Sequence, residues 1–179
     1  MSEVNHKLLM SVLESEKSIL SRTDQKAYTM LSILGVFMVF FIVYFRLLAV
    51  NVFIMGMLSI YFTAAFLAIY NLIKTMMPRV HREFLEHEAE EQQIDPTFFG
   101  GIHEFKSSQE YYDYMLSVMQ DADLSNRMIA RQIHSVALIN WTKNLHLRRG
   151  MYFFIAAIGT ELIMILSTFL KKAYLELFI

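Results

Sequence analysis

Three side chains that can bind phosphate recur along one predicted helix. Arg127, Arg131 and His134 are separated by four and then three residues, a spacing that places them on one face of an α-helix. Two guanidinium groups and an imidazole form charge-assisted hydrogen bonds with phosphate oxygens, and the rings of Trp141 or Phe98 offer stacking surfaces for a base. The pattern predicts a nucleotide contact, and the simpler alternative is a solvated helix face.

Further positive charge follows on the same stretch of chain. Lys143, Arg148 and Arg149 lie just before the last apolar run. Cationic side chains in this position commonly bind lipid headgroups, so anchoring at the membrane surface is the alternative to ligand binding for this group.

An acidic residue interrupts the last apolar run, which covers residues 150–170. An ionisable side chain near the middle of a membrane span costs about 3 kcal/mol on insertion scales, so Glu161 is expected to face protein or water rather than lipid. Its functional interpretation is a pore-lining or interhelical group. Its structural interpretation is a polar contact with another helix, through Thr160 or Ser167 of a neighbouring subunit.

Catalytic and metal-binding patterns are weak in this sequence. Glu83 and His87 have the i, i+4 spacing of metal ligands, but Glu91 stands where a zincin would have its second histidine. The simpler interpretation is the solvated face of a polar helix. The chain has no cysteine, no phosphate-binding glycine loop and no nucleophile elbow. We therefore predict no enzyme, no metal and no cofactor.

Three apolar runs must position these residues. Residues 27–45, about 52–73 and 150–170 each approach the 30 Å of a hydrocarbon core at about 1.5 Å per residue. The sequence predicts an all-α integral membrane protein with an N-terminal hairpin of two spans and a third, C-terminal span. Small residues in the spans, such as Gly35, Gly56 and Gly159, permit close helix packing, including packing between subunits.

The polar segments are predicted to be helical as well. Residues 1–26 form an amphipathic helix, and residues 74–149 form a helical insert with a polar segment at 79–93 and a turn around residues 95–101. Ser107 or Ser108 is expected to cap a helix ending at Gln120, and residues 124–149 to continue into the third span. Asp24 is placed near the N-terminal end of the first span, opposite the helix dipole, with Lys26 reaching toward headgroups.

Charge distribution predicts the orientation. Thirteen of the sixteen lysines and arginines precede the first span or lie between the second and third spans. Because such residues remain on the cytosolic side, the N-terminus and residues 74–149 are predicted to be cytosolic and residues 171–179 to lie outside.

Several short motifs occur in a familiar order along the chain. Asp24-Gln25-Lys26-Ala27, Phe98-Phe99-Gly100, Gln132-Ile133-His134 and Lys143 together resemble the Pycsar-type transmembrane effectors of bacterial antiphage defence, from about Leu9 to Leu170. In that family a partner cyclase makes a cyclic pyrimidine mononucleotide, and the effector compromises the inner membrane and stops growth. Gln25 and the polar segment 79–93 depart from the commonest pattern.

The resemblance implies a function and adds site residues. It makes the chain a cyclic-nucleotide-activated effector of the bacterial inner membrane and a homo-oligomer that binds no nucleic acid polymer. It adds Phe99 and Lys143 to the candidate ligand contacts and assigns Asp24 and Lys26 to a motif at the membrane entrance. The alternatives are a constitutive oligomeric channel, a membrane scaffold, or an effector activated by a cyclic oligonucleotide.

Overall fold

The computed structural model describes residues 2–47, 51–77 and 99–178, and within these ranges the regular structure is entirely helical. The helices are α1 (Ser2–Tyr44), α2 (Val52–Met76), α3 (Phe99–Ile102), α4 (Ser108–Gln120) and α5 (Ala122–Phe178), with a 3₁₀ turn at Phe45–Leu47. The predicted all-helical class is confirmed for these residues. The polar segment 79–93, including Glu83 and His87, lies outside them.

Three helices are long and apolar enough to cross a membrane. The candidate spans are His6–Tyr44, Val52–Met76 and Ala122–Tyr174. Each contains one of the apolar runs identified in the sequence, so the prediction of three spans is confirmed at the level of length and composition.

The N-terminal segment and the first span form one helix. α1 has 43 residues and continues through Asp24 and Lys26 without interruption. The sequence offers no proline in this stretch that would break it. The expectation that Asp24 stands near a helix N-terminus was therefore wrong, because a full 22 residues of helix precede it and the dipole acts only over the terminal turns.

Polar caps separate α4 from its neighbours. The Ser107 side chain accepts a hydrogen bond from the backbone N–H of Glu110 at 3.1 Å, which confirms the predicted cap. Glu110 in turn accepts a bond from the backbone N–H of Lys106 at 2.9 Å. At the other end, Asp121 accepts bonds from the backbone N–H groups of Asp123 and Leu124, which starts α5.

The longest helix joins the insert to the third span. α5 has 57 residues, about 85 Å of helix, and it contains both the cationic stretch and the run at 150–170. The prediction that the helix from residue 124 continues into the third span is confirmed. Its continuity follows from good helix formers and the absence of proline.

The chain divides into two compact units. The polar unit comprises Met1–Arg22 and Pro78–Thr142, and the membrane unit comprises Thr23–Met77 and Lys143–Ile179. The boundary therefore falls within α1 and again within α5.

In the polar unit, α1 and α5 run side by side in the same direction. His6 Nδ1 lies 3.3 Å from Asn126 Oδ1, and the Asn140 amide donates to the Glu16 backbone carbonyl at 2.9 Å and carboxylate at 2.7 Å. From the first pair to the second, the residue number increases along both helices, so the two helices are parallel. Among the described residues of this unit, the buried apolar side chains are Leu13, Val118, Met128 and Ile129.

The membrane unit is an up-down-up bundle of three helices. Phe41 of α1 stacks on Tyr61 of α2 with 4.7 Å between ring centroids. α2 runs antiparallel to α5, because Asn71 contacts His146 whereas Tyr61 lies near Glu161. The apolar core contains Leu34 and Phe41 of α1, Ile54, Tyr61, Ala64, Ala65 and Ala68 of α2, and Ala157 and Met164 of α5.

Candidate functional site

The three predicted phosphate-binding residues lie on α5 in the polar unit. Arg127 is exposed, and its Nε forms an ion pair with Asp123 at 2.9 Å, with both side chains about three-quarters exposed. His134 is exposed and Arg131 is half-buried, and each has an interaction within the chain. Exposed i, i+4 ion pairs contribute only about 0.3–0.5 kcal/mol, so a phosphate-bearing ligand can replace Asp123 as the partner of Arg127 at little cost.

Of the three aromatic side chains predicted to contact the ligand, the structure describes that of Trp141. Trp141 is 68% exposed on α5, which leaves most of its ring available for stacking. Phe99 begins the short helix α3, and its side chain lies outside the described part of the structure. Phe98 is also outside the described residues.

Lys143 has a specific partner in the membrane unit. Its ammonium donates to both carboxylate oxygens of Asp24, at 2.6 and 2.8 Å. The Lys143 side chain is 6% exposed and that of Asp24 is 40% exposed. Two residues that the family resemblance singled out separately thus form one ion pair between α5 and α1. Lys26, which belongs to the same family motif as Asp24, is exposed.

More polar groups line the contact between α2 and α5. His146 Nδ1 lies 3.4 Å from Asn71 Oδ1, and Thr75 is fully buried with its hydroxyl donating to the Asn71 carbonyl at 3.0 Å. Gly150 permits this approach, because a Cβ at that position would lie 3.0 Å from Leu72 Cδ2. Sequence reasoning missed these residues, since each is an ordinary polar or small residue until its partner on another helix is known.

Glu161 faces the interior of the bundle, as expected of an acidic residue in a span. It is 1% exposed, and the Tyr61 hydroxyl of α2 lies close enough to interact with it. Within the described ranges, neither carboxylate oxygen of Glu161 nor the Tyr61 hydroxyl meets the geometry of a hydrogen bond with any partner. Tyr61 was not identified from the sequence, where it is one aromatic residue among many in an apolar run.

Thr160 and Ser167, which were expected to contact Glu161 from a neighbouring subunit, form hydrogen bonds within their own helix. The Thr160 hydroxyl donates to the Ala156 carbonyl at 2.7 Å, and the Ser167 hydroxyl donates to the Met164 carbonyl at 2.8 Å. Such bonds to the preceding turn satisfy hydroxyl groups inside apolar helices. The prediction of a contact to these residues in a neighbouring subunit stays a prediction.

Comparison with known protein families gives one decisive result. The family described as the Pycsar effector protein domain matches residues 9–170 of this chain. The chain belongs to the Pycsar effector family. The resemblance inferred from the short motifs is confirmed, and it identifies this membrane protein as a Pycsar effector of antiphage defence.

The family match encompasses both units of this Pycsar effector. It contains the Asp24–Lys143 ion pair, the cationic stretch of α5 and Glu161. Neither the curated proteins nor the solved structures give a match. The functional assignment therefore depends on the family match and on the geometry described above.

Proposed function

We propose that this Pycsar effector senses a cyclic nucleotide through its polar unit and responds by impairing the integrity of the bacterial inner membrane. The observation that carries the proposal is the family match over residues 9–170, together with three apolar helices of membrane-spanning length. Growth arrest or cell death then follows from loss of the membrane barrier, without chemistry on a substrate.

The cationic face of α5 is our candidate for the ligand contact. Arg127, Arg131 and His134 present donors for a cyclic phosphate, and the exposed Trp141 ring offers stacking to a base. A cyclic pyrimidine mononucleotide has one negatively charged phosphate and one aromatic base, the two kinds of group that these side chains can contact. Lys143 was also proposed as a contact, but to serve as one it would have to leave Asp24.

The continuity of α5 supports the proposed transmission of a change from the cationic face to the third span. The helix that carries the cationic face is also the helix that carries Glu161, with no break between residues 122 and 178. An anion that binds one arrangement of cationic helices better than another shifts the equilibrium between the two arrangements. A change at the cationic face would thereby alter the packing of the third span.

The proposed membrane damage requires a change in how the three helices of the bundle pack. Glu161 is buried between helices of one protomer, so a water path lined by this residue forms only when the spans separate. Burial of Glu161 in a single protomer supports a path that opens on activation over a constitutive channel. In the proposed arrangement the N-terminus and residues 74–149 are cytosolic, and several copies of the chain assemble in the membrane.

Dye uptake in cells tests this function. Cells that express the effector with an active pyrimidine cyclase should admit a membrane-impermeant dye, and cells with an inactive cyclase should exclude it. The variant Arg131→Ala/His134→Ala should lose the uptake and also the binding of cyclic nucleotide by purified protein. Lys106→Ala removes an exposed cation from the same unit and should change neither result.

Other outcomes separate the alternatives. Uptake without any cyclase would indicate a constitutive channel, and a normal response of Arg131→Ala/His134→Ala would refute the proposed binding face. Activation by a cyclic oligonucleotide in place of the mononucleotide would change the ligand but preserve the site. Copurification of a protein partner with no change in permeability would indicate a scaffold.

A further inference from the structure

The most unusual feature of the bundle interior is a pair of polar groups that lack hydrogen-bond partners. Tyr61 is 0% exposed and Glu161 is 1% exposed, and three of their oxygen atoms have no hydrogen-bond partner among the residues that the structure describes. Buried polar groups in folded proteins are nearly always hydrogen-bonded, so an unpartnered set calls for a ligand or a change of protonation state.

The surroundings of this pair are apolar on every helix of the bundle. The core residues of α1 are Leu34 and Phe41, which carry no titratable group. On α5 the same face as Glu161 carries Ala157 and Met164, four residues before and three after it. The titratable group that interacts with Glu161 is the Tyr61 hydroxyl of α2, and no cation in the described part of the chain acts on Glu161 electrostatically.

A negative charge has no source of stabilisation at this position. An ionised carboxylate needs donors or a counter-ion, and burying one without either is far more costly than burying the neutral acid. The neutral acid needs only one acceptor for its own proton and one donor for its carbonyl oxygen. A tyrosine hydroxyl can serve as both donor and acceptor.

We propose that Glu161 and Tyr61 form a proton-binding site inside the three-helix bundle, in which Glu161 is held as a neutral carboxylic acid. The ligand of this site is a proton, and Tyr61 is its positioning residue. The proposal concerns the assembled bundle alone and does not depend on the nucleotide response.

Infrared spectroscopy of the full-length protein in lipid nanodiscs at neutral pH tests this site. The wild-type spectrum should contain the carbonyl stretch of a protonated carboxylic acid, and the band should shift when H₂O is replaced by D₂O. Glu161→Gln has the shape of the neutral acid and should fold while losing the band. Tyr61→Phe should retain the band at a shifted position, because the hydrogen-bonding environment of the acid changes.

The controls make each outcome decisive. Glu104→Gln removes an exposed carboxylate outside the bundle and should leave the band unchanged. Absence of the band from the wild-type protein, or its persistence in Glu161→Gln, would overturn the proposal. If Glu161→Gln does not assemble, the Tyr61→Phe spectrum decides, since an unshifted band would exclude Tyr61 from the site.

Discussion

Lys143 is a cation that the fold removes from water almost completely. Its ammonium has two short bonds to Asp24, whose own side chain keeps partial access to solvent. Removing one member of a buried ion pair leaves the other charge without compensation, which costs more than the intact pair contributes. The consequence for stability is therefore asymmetric between single and double substitutions.

We expect Asp24→Ala to lower the free energy of unfolding by about 2 kcal/mol, which is less than for a fully buried pair because Asp24 is partly exposed. Asp24→Ala/Lys143→Met should lose less, since methionine fills the same space without a charge. Denaturation of the purified protein in lipid-detergent micelles measures both.

The matched control for this ion pair is Lys26→Ala, an exposed cation two residues along α1 from Asp24. It should change the free energy of unfolding by less than about 0.5 kcal/mol. Equal losses for the single and double substitutions would show that the ion pair is not what stabilises this contact.

The identity of these residues could be predicted, but their pairing could not. Family motifs pointed to Asp24 and Lys143 individually, whereas the bond joins positions 119 residues apart. The same is true of Asn140, whose amide binds Glu16 at a distance of 124 residues in sequence. Local spacing contains no information about which distant helix a polar side chain will meet.

At the scale of helices, Gly150 lies where α5 packs closely against α2. A Cβ there would lie 3.0 Å from Leu72 Cδ2, 3.2 Å from Leu72 Cγ and 3.4 Å from Asn71 Cβ. Leu72 is fully buried, so it has little space into which to move. This glycine sets the separation of α2 and α5 at one end of the bundle.

Gly150→Ala should lower the free energy of unfolding by about 1–3 kcal/mol, the usual range for adding a methyl group to a packed interior. Thermal unfolding in nanodiscs measures the change. Gly159→Ala lies on the same helix with nothing within 4 Å of its Cβ, and it should be neutral or slightly stabilising. A similar effect of the two substitutions would contradict steric contact as the cause.

The cap at the start of α4 permits a second test at this scale. Ser107→Ala removes the acceptor for the Glu110 amide and should cost about 1 kcal/mol locally. Hydrogen exchange of the Glu110 amide should become faster. Ser108→Ala changes an exposed residue inside the helix and serves as the control, with no acceleration expected.

Helix ends that are fixed by hydrogen bonds to neighbouring residues could be predicted from the sequence. Helix ends that lack such a local cause could not. The Ser107 cap and the new start at Asp121 follow from residues that bond to adjacent backbone groups. The expectation that Asp24 lies near a helix N-terminus was wrong because a change in polarity is not a helix terminus. Nothing between residues 2 and 44 breaks the hydrogen-bonding pattern, so α1 continues from the polar segment into the apolar one.

At the scale of the whole molecule, the uninterrupted course of α5 is the feature on which the proposed signal transmission depends. Asn144→Gly/Leu145→Gly introduces flexibility at the unit boundary at a cost of about 2 kcal/mol of helix stability. We expect this variant to bind cyclic nucleotide but to show strongly reduced dye uptake. Asn144→Ala/Leu145→Ala removes the same side chains, preserves the helix, and should respond as the wild type does.

Full dye uptake by the glycine variant, with binding unchanged, would show that helix continuity is not required.

The fold class, the three spans and the family were all predictable, because they depend on composition, span length and the order of motifs. The interior of the bundle was not. Whether Glu161 meets Tyr61, water or another subunit depends on how three helices rotate against one another, which hydropathy does not determine.

The sequence separation within the Asp24–Lys143 ion pair has a consequence for biosynthesis. α1 and α2 emerge from the ribosome while Lys143 is still untranslated, so Asp24 enters its place beside the membrane without its cation. α5, the third helix of the membrane unit, then supplies Lys143, Gly150 and Glu161 together. A chain that terminates before α5 contains the α1–α2 hairpin of the membrane unit but not its third helix, so the three-helix bundle forms only after α5 has been synthesised.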